Sequence, residues 1–181
     1  MHTKKIIIYI GISVLVGIAS NFFHERSHWL VTELFGYETT FTLNTSQVID
    51  QTIQLSRIER LLTDFAGPLF TIFQAVVFYL ILCERKYILL YPFLFYPFTL
   101  RFGAAIANVF QPNDEGRISL DLGLPLYTIF LFVVGFLFVL IVRISKKYHY
   151  SFLFNFLTFL LTASIVILIS YLDAKFHLKI V

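Results

Sequence analysis

The chain has 181 residues, of which 58% are hydrophobic and only 14% are charged, and its formal net charge is +3. Its mean hydropathy of +0.80 excludes a soluble globular domain and a disordered chain, because both classes need a much larger polar fraction. The basic residues are scattered along the sequence, so we expect no contiguous basic surface for nucleic acid.

Runs of about twenty apolar residues recur along the chain, and each is long enough to cross a hydrocarbon layer of about 30 Å. They predict an all-α fold: a polytopic membrane bundle of about five transmembrane helices, with a short β segment after the first. Residues 1–181 are expected to form a single integral membrane domain. The protein is therefore expected to be a multi-pass component of a cell (inner) membrane, surrounded by the lipid bilayer. The predicted spans are 5–35, 61–83, 87–110, 124–143 and 151–172.

The first span contains no small-residue cleavage site and runs for about thirty residues, which predicts a retained helix longer than the bilayer. Gly36 is placed to end it. Residues 37–43 alternate threonines with aromatic and aliphatic residues, a pattern that predicts a short strand or hairpin. Pro92 and Pro97 are expected to kink the third span.

The first span also carries ionisable residues, which are costly inside a membrane and so indicate function. They form the motif His24-Glu25-Arg26-Ser27-His28, or H-E-x-x-H. Residues four apart lie about 40° apart on one helix face, so both imidazoles can bind one cation. Glu25 lies beside that face, where it can take a proton from a water acidified by zinc.

A chance occurrence of the motif near a membrane interface is the alternative interpretation. It requires several uncompensated polar groups between apolar turns, so we favour a metal site. Cys83 is the only cysteine, which excludes an intrachain disulfide and any cysteine-based zinc site. Any further metal ligand must therefore be a histidine or a carboxylate.

The third ligand has few candidates. Glu33 lies five positions after His28, about 140° around the helix, and faces away. The acidic pair Asp114 and Glu115, beyond the third span, is the other polar cluster that could reach membrane depth. The remaining histidines lie near the termini or in a basic loop, where we expect solvation: His2, His149 and His177.

Three separated pieces of the chain, between about residues 15 and 125, resemble the site-2 protease family of intramembrane zinc metalloproteases. The first is the H-E-x-x-H motif, followed by a strand-like segment that in the family forms a sheet near the active site. The second is Phe-Ala-Gly-Pro at 65–68, similar to the Ala-Gly-Pro that opens the next core helix there. The third is segment 108–116, which resembles the Asn, Pro and Asp-Gly segment that supplies the family's third zinc ligand.

Segment 108–116 departs from the family pattern, in which the ligand aspartate directly precedes glycine and lies further beyond the asparagine. Here Glu115 precedes Gly116, and the interval from Asn108 is shorter. The resemblance therefore implies either Asp114 or Glu115 as the third ligand. We favour Asp114 because it keeps the residue type.

The resemblance implies a minimal catalytic core without a PDZ domain: a zinc endopeptidase that hydrolyses a peptide bond in or near a transmembrane segment of a membrane protein or peptide substrate. Zn²⁺ is the implied cofactor. Asn108 is expected to hydrogen-bond the substrate or the developing oxyanion, and a strand within 37–48 to hold an extended substrate by β-augmentation. The implied zinc ligands are His24, His28 and Asp114, and the implied catalytic residues are Glu25 and Asn108.

The sequence alone leaves three points undecided. A non-hydrolytic protein that binds or transports a metal through the same cluster is an alternative, as is an inactive scaffold. Arg101, inside the third span, either pairs with an acidic group or extends to the membrane surface. The Lys and Arg distribution puts the N-terminus inside, whereas the resemblance implies a metal nearer the cytosolic face and the reverse orientation.

Overall fold

The computed structural model describes residues 3–176 and 179–180 of the chain. Within this part, five helical segments are long and apolar enough to cross a membrane, so the chain is a multi-pass membrane protein. The predicted all-α bundle, with a short β segment after the first helix, is confirmed. The helices are α1 (Thr3–Leu34), α2 (Arg57–Glu84), α3 (Tyr91–Ala107, after a 3-10 turn at Ile88–Leu90), α4 (Asp114–Asp121), α5 (Thr128–Tyr148) and α6 (Phe152–Phe176).

Several helix boundaries differ from the predicted spans by three to five residues. Helix α2 begins four residues earlier than expected, because Ser56 and Glu59 form a capping box. The Glu59 backbone N–H donates to Ser56 Oγ, and the Ser56 backbone N–H donates to the Glu59 carboxylate. Helix α3 ends at Ala107, three residues before the predicted end of its span.

Helix α4 lies between the third and fourth predicted spans, where the sequence predicts no helix. Its buried residues are spaced three and four apart, and include Glu115, Ile118 and Ser119. This spacing gives a short helix one buried face. Eight residues are too few for that periodicity to stand out in the sequence.

The β segment is a hairpin of two antiparallel strands, β1 (Thr39–Phe41) and β2 (Ser46–Val48). Its turn is attached to the end of α6 by Asp173. Thr42 Oγ1 donates to Asp173 Oδ2 over 2.6 Å, and the Leu43 backbone N–H donates to Oδ1 over 3.2 Å. A distant helix therefore fixes the position of the hairpin.

Helix α3 lies at the centre of the bundle, since its residues contribute to two apolar clusters. One cluster joins α3 to α2 and α5, and the other joins it to α1 and α6. Polar side chains also pair between helices, which is how polar groups usually stabilise packing in a membrane. These pairs include Ser20 with Gln74, Asn21 with Tyr96, and Thr99 with Thr162.

Replacing Asp173 with alanine is predicted to loosen the hairpin without unfolding the bundle. Hydrogen bonds to a charged group contribute about 1.5–3 kcal/mol each, so amide hydrogen exchange in residues 39–48 should accelerate about 10- to 100-fold. Ser170→Ala is the control, because Ser170 makes an exposed, uncharged bond to Asn44 of the same turn. Equal exchange rates in the Asp173→Ala and wild-type hairpins would contradict this role.

Candidate metal centre

Two histidines of α1 face α2 in the interior of the bundle. His24 and His28 lie one turn apart and are only 4% and 5% exposed. Gly67 of α2 lies directly against them, and a Cβ atom at that position would overlap both imidazole rings. The glycine of the Ala-Gly-Pro piece therefore leaves the space that the two rings occupy.

Asp114, the first residue of α4, completes a group of three side chains that could hold a metal ion. His24 Nε2 lies 3.2 Å from His28 Nε2 and 3.2 Å from Asp114 Oδ2, and His28 Nε2 lies 3.5 Å from the same oxygen. Ligand atoms of a tetrahedral zinc, at bond lengths of about 2.0–2.1 Å, are separated by about 3.3–3.4 Å. The three atoms thus have the spacing and the nitrogen and oxygen chemistry of three zinc ligands.

The outer nitrogen of His28 is held by a backbone group. His28 Nδ1 donates to the Thr63 carbonyl oxygen over 2.6 Å, which orients the ring and directs Nε2 into the site. Metal-binding histidines are usually oriented in this way. His24 Nδ1 is buried and has no hydrogen-bond partner within the part of the chain that the structure describes.

Two arginines hold the Asp114 carboxylate from opposite sides. Arg117 Nη2 donates to Asp114 Oδ1 over 2.9 Å and also to Asp64 of α2 over 2.7 Å. Burial by itself raises the pKa of the Asp114 carboxyl, but the charge of the adjacent His28 and the hydrogen bonds from His24 and His28 together outweigh that effect and hold the pKa well below its ordinary value. Asp114 is therefore ionised, as a metal ligand must be.

Arg101 of α3 is the second of these arginines. Its Nη1 donates to Asp114 Oδ2 over 3.0 Å and to Glu115 Oε1 over 3.1 Å, and its Nη2 lies 3.2 Å from His24 Nε2. The residue is 2% exposed. Of the two possibilities open in the sequence, the structure shows pairing with acidic groups, and the side chain does not extend to the surface.

The other predicted site residues lie at different distances from this group. Glu115 is fully buried against Arg101 and is not one of the three grouped side chains, which leaves Asp114 as the third member. Glu25 Oε1 lies 3.9 Å from His24 Nε2, beside the group as predicted. Its carboxylate is also buried.

Asn108 is buried behind the turn that leads into α4. Its Oδ1 accepts a hydrogen bond from the Asn113 backbone N–H over 2.5 Å. It lies against Gly116, where a Cβ atom would crowd its amide oxygen. Asn108 is absent from the residues that line the adjoining cavity, so in this structure it supports the turn that presents Asp114. Its predicted contact with substrate stays a prediction.

A cavity of about 580 Å³ adjoins the group. Its walls come from α1, the turn of the hairpin and the start of β2, the start of α2, the end of α3, the start of α4, and α6. The group therefore opens onto a space large enough for several peptide residues. Lining residues include His24, Glu25, Ser46, Arg101, Ala104 and Ser170.

Several supporting residues were not found from the sequence. The contact of Thr63 with His28 and that of Asp64 with Arg117 join residues 35 and 53 positions apart, separations that local patterns do not encode. Among the other histidines, His149 caps the end of α5 in a left-handed conformation, while His2 and His177 lie outside the described residues. Comparison of the chain with models of known families, with curated proteins and with solved structures finds no match.

Replacing Gly67 with alanine is predicted to weaken zinc binding about 10- to 100-fold, because the added methyl group displaces both imidazoles at a cost of about 1–3 kcal/mol. Competition with a chelating dye on detergent-purified protein measures this affinity. The matched control is Gly11→Ala, also on a membrane helix, where a Cβ atom meets nothing within 4 Å. Equal zinc affinity in the two variants would show that Gly67 does not shape the site.

The two neighbouring acids should differ in their effect on the metal. Asp114→Asn is predicted to abolish stoichiometric zinc binding, whereas Glu115→Gln should retain about one zinc per chain, because Glu115 faces Arg101 and lies outside the three-residue group. Elemental analysis after gel filtration gives the zinc content. Zinc loss in Glu115→Gln but not in Asp114→Asn would reverse the assignment.

Proposed function

We propose that this protein is a zinc endopeptidase of a cell (inner) membrane that hydrolyses a peptide bond in or near a transmembrane segment of a membrane protein or peptide. The observation that supports it most is the convergence of His24 Nε2, His28 Nε2 and Asp114 Oδ2 within 3.2–3.5 Å of one another. The side chains of His24, His28 and Asp114 all line one cavity, and the buried side chain of Glu25 lines it beside them.

Zinc suits this donor set, since two imidazoles and one carboxylate with an open fourth position are typical of catalytic zinc sites. When bound, zinc supplies a Lewis acid that acidifies water and polarises a carbonyl group. The ligand residues would be His24, His28 and Asp114. The Thr63 carbonyl and Arg117 would hold two of them in place.

Glu25 is the proposed general base. Its carboxylate lines the cavity next to His24, where it can accept a proton from the attacking water. It can then return that proton to the nitrogen of the leaving amine. No guanidinium group pairs with Glu25 among the described residues, so its carboxylate is available for this exchange.

The substrate has to be extended where it is cut, because a peptide bond within a helix is shielded by its own hydrogen bonds. Ser46 of β2 lines the cavity, so β2 is the strand best placed to pair with such a segment. The outer side of β1 already has a neighbour, since the Ile180 backbone N–H donates to the Phe41 carbonyl over 2.9 Å. We therefore infer that substrate adds beside β2.

Glu25→Gln is predicted to reduce cleavage about 10²- to 10⁴-fold, the usual effect of losing a general base, while zinc content stays at about one per chain. The assay reconstitutes the protein in liposomes with a library of single-span membrane proteins and detects truncated products by mass spectrometry. Glu33→Gln is the matched control on the same helix, because Glu33 accepts a hydrogen bond from the Thr39 backbone, away from the site.

The same liposomes separate hydrolysis from metal transport. A transport protein would carry zinc across the membrane without producing peptide fragments. Zinc flux through wild-type protein with no cleavage of any library member would overturn the proposed function. Full cleavage by Glu25→Gln would overturn only the identity of the base.

A further inference from the structure

We propose that Arg101 is a further catalytic residue of this site, whose guanidinium group binds the carbonyl oxygen of the scissile peptide bond. It becomes free to do so when a metal ion takes His24 Nε2. This inference rests on the proposed peptidase function. It assigns to Arg101 the oxyanion contact that the sequence resemblance expects from Asn108.

The hydrogen bonds of Arg101 are unevenly distributed over its guanidinium group. The group has five N–H donors and no acceptor. Nη1 is held by Asp114 and Glu115, and among residues 3–176 and 179–180 Nη2 has His24 Nε2 as its one hydrogen-bond acceptor. Nε has no partner within the described part of the chain, although the residue is 2% exposed. One side of a buried cation therefore lacks the acceptors that such groups normally have.

The contact between Arg101 and His24 excludes a metal at His24. A donor-only guanidinium can hydrogen-bond to Nε2 only through the single lone pair of that nitrogen. A metal ion bonded to Nε2 uses the same lone pair. Metal binding therefore removes the His24 acceptor of Nη2, while Glu115 continues to hold Nη1.

The freed donors would lie in the cavity wall beside Glu25 and His24, where a reacting carbonyl group is expected. A buried N–H of a charged group without an acceptor is costly, and a substrate oxygen would satisfy it. That oxygen becomes negative during attack, so the hydrogen bond strengthens in the transition state. Asn108, which lies off the cavity wall, is less well placed.

Hydrolysis of the peptide bond requires no proton from Arg101. The water oxygen bonds to the carbonyl carbon, the water proton moves to Glu25, and the carbonyl π electrons move onto the oxygen held by Arg101. When the carbon–nitrogen bond breaks, those electrons re-form the carbonyl and the amine takes the proton from Glu25. Arg101 stays protonated throughout.

The test compares Glu115→Gln with the double variant Arg101→Gln/Glu115→Gln, so that no unpaired carboxylate is left buried. Removing the competitor for His24 is expected to tighten zinc binding at least tenfold, measured by chelator competition. Arg117→Gln is the matched control for charge. It removes a cation from the other oxygen of Asp114 without touching His24, and it also releases a contact that holds Asp114 in place, so it should not tighten zinc binding.

The second measurement is cleavage of a substrate identified in the liposome screen, with all proteins saturated with zinc. The double variant should lose about 10²- to 10³-fold in kcat relative to Glu115→Gln, the usual effect of losing an oxyanion donor, with KM changed less than about threefold. Thermal unfolding of the zinc-loaded variants checks that both remain folded.

Unchanged or weaker zinc binding in the double variant, or an unchanged kcat, would overturn the role of Arg101. The proposed function would still be supported if the wild-type protein cleaves its substrate. A zinc-loaded wild-type protein that cleaves nothing would overturn the proposed function and this inference with it.

Discussion

The carboxylate of Asp114 is the contact on which the arrangement of the centre depends. One oxygen faces two imidazoles of α1 and a guanidinium of α3, and the other accepts a bond from Arg117. Arg117 is bonded in turn to Asp64 of α2. A single side chain at the start of α4 thereby connects three membrane helices. In a low-dielectric interior these charges are tolerable only because each has an opposite partner.

Charge pairing also distinguishes Glu25, the proposed general base, from the other buried carboxylates of the centre. Asp114, Glu115 and Asp64 each contact a guanidinium group. Glu25 has only the longer contact with His24 among the described ion pairs. A carboxylate held by arginine is a poor base because its charged form is stabilised. Glu25 therefore differs from these three carboxylates in having no guanidinium contact among the described ion pairs, which supports its proposed role in proton transfer.

The sequence predicted those features that depend on short-range patterns. Apolar runs gave the five spans, and the threonine alternation gave the hairpin. The four-residue spacing of His24 and His28 gave two imidazoles on one face. Each of these is set by residues within a few turns of one another.

Contacts between distant segments could not be predicted in the same way. The pairing of Arg101 with Asp114 and Glu115 depends on how the chain reverses after α3. The contacts of Thr63 and Gly67 with the two histidines depend on how α1 and α2 cross. Which of Asp114 and Glu115 faces the two histidines depends on side-chain direction at the start of α4, a helix that was not predicted from the sequence. Only the packed bundle decides these points.

X-ray absorption at the zinc edge of the purified, zinc-loaded protein measures whether His24, His28 and Asp114 bind one metal ion. We expect one zinc per chain, with two imidazole nitrogens among low-atomic-number ligands at about 2.0–2.1 Å. The multiple-scattering signal of one imidazole should be lost in His28→Ala. A zinc ion with no imidazole ligand, or a protein that binds no zinc, would contradict this expectation.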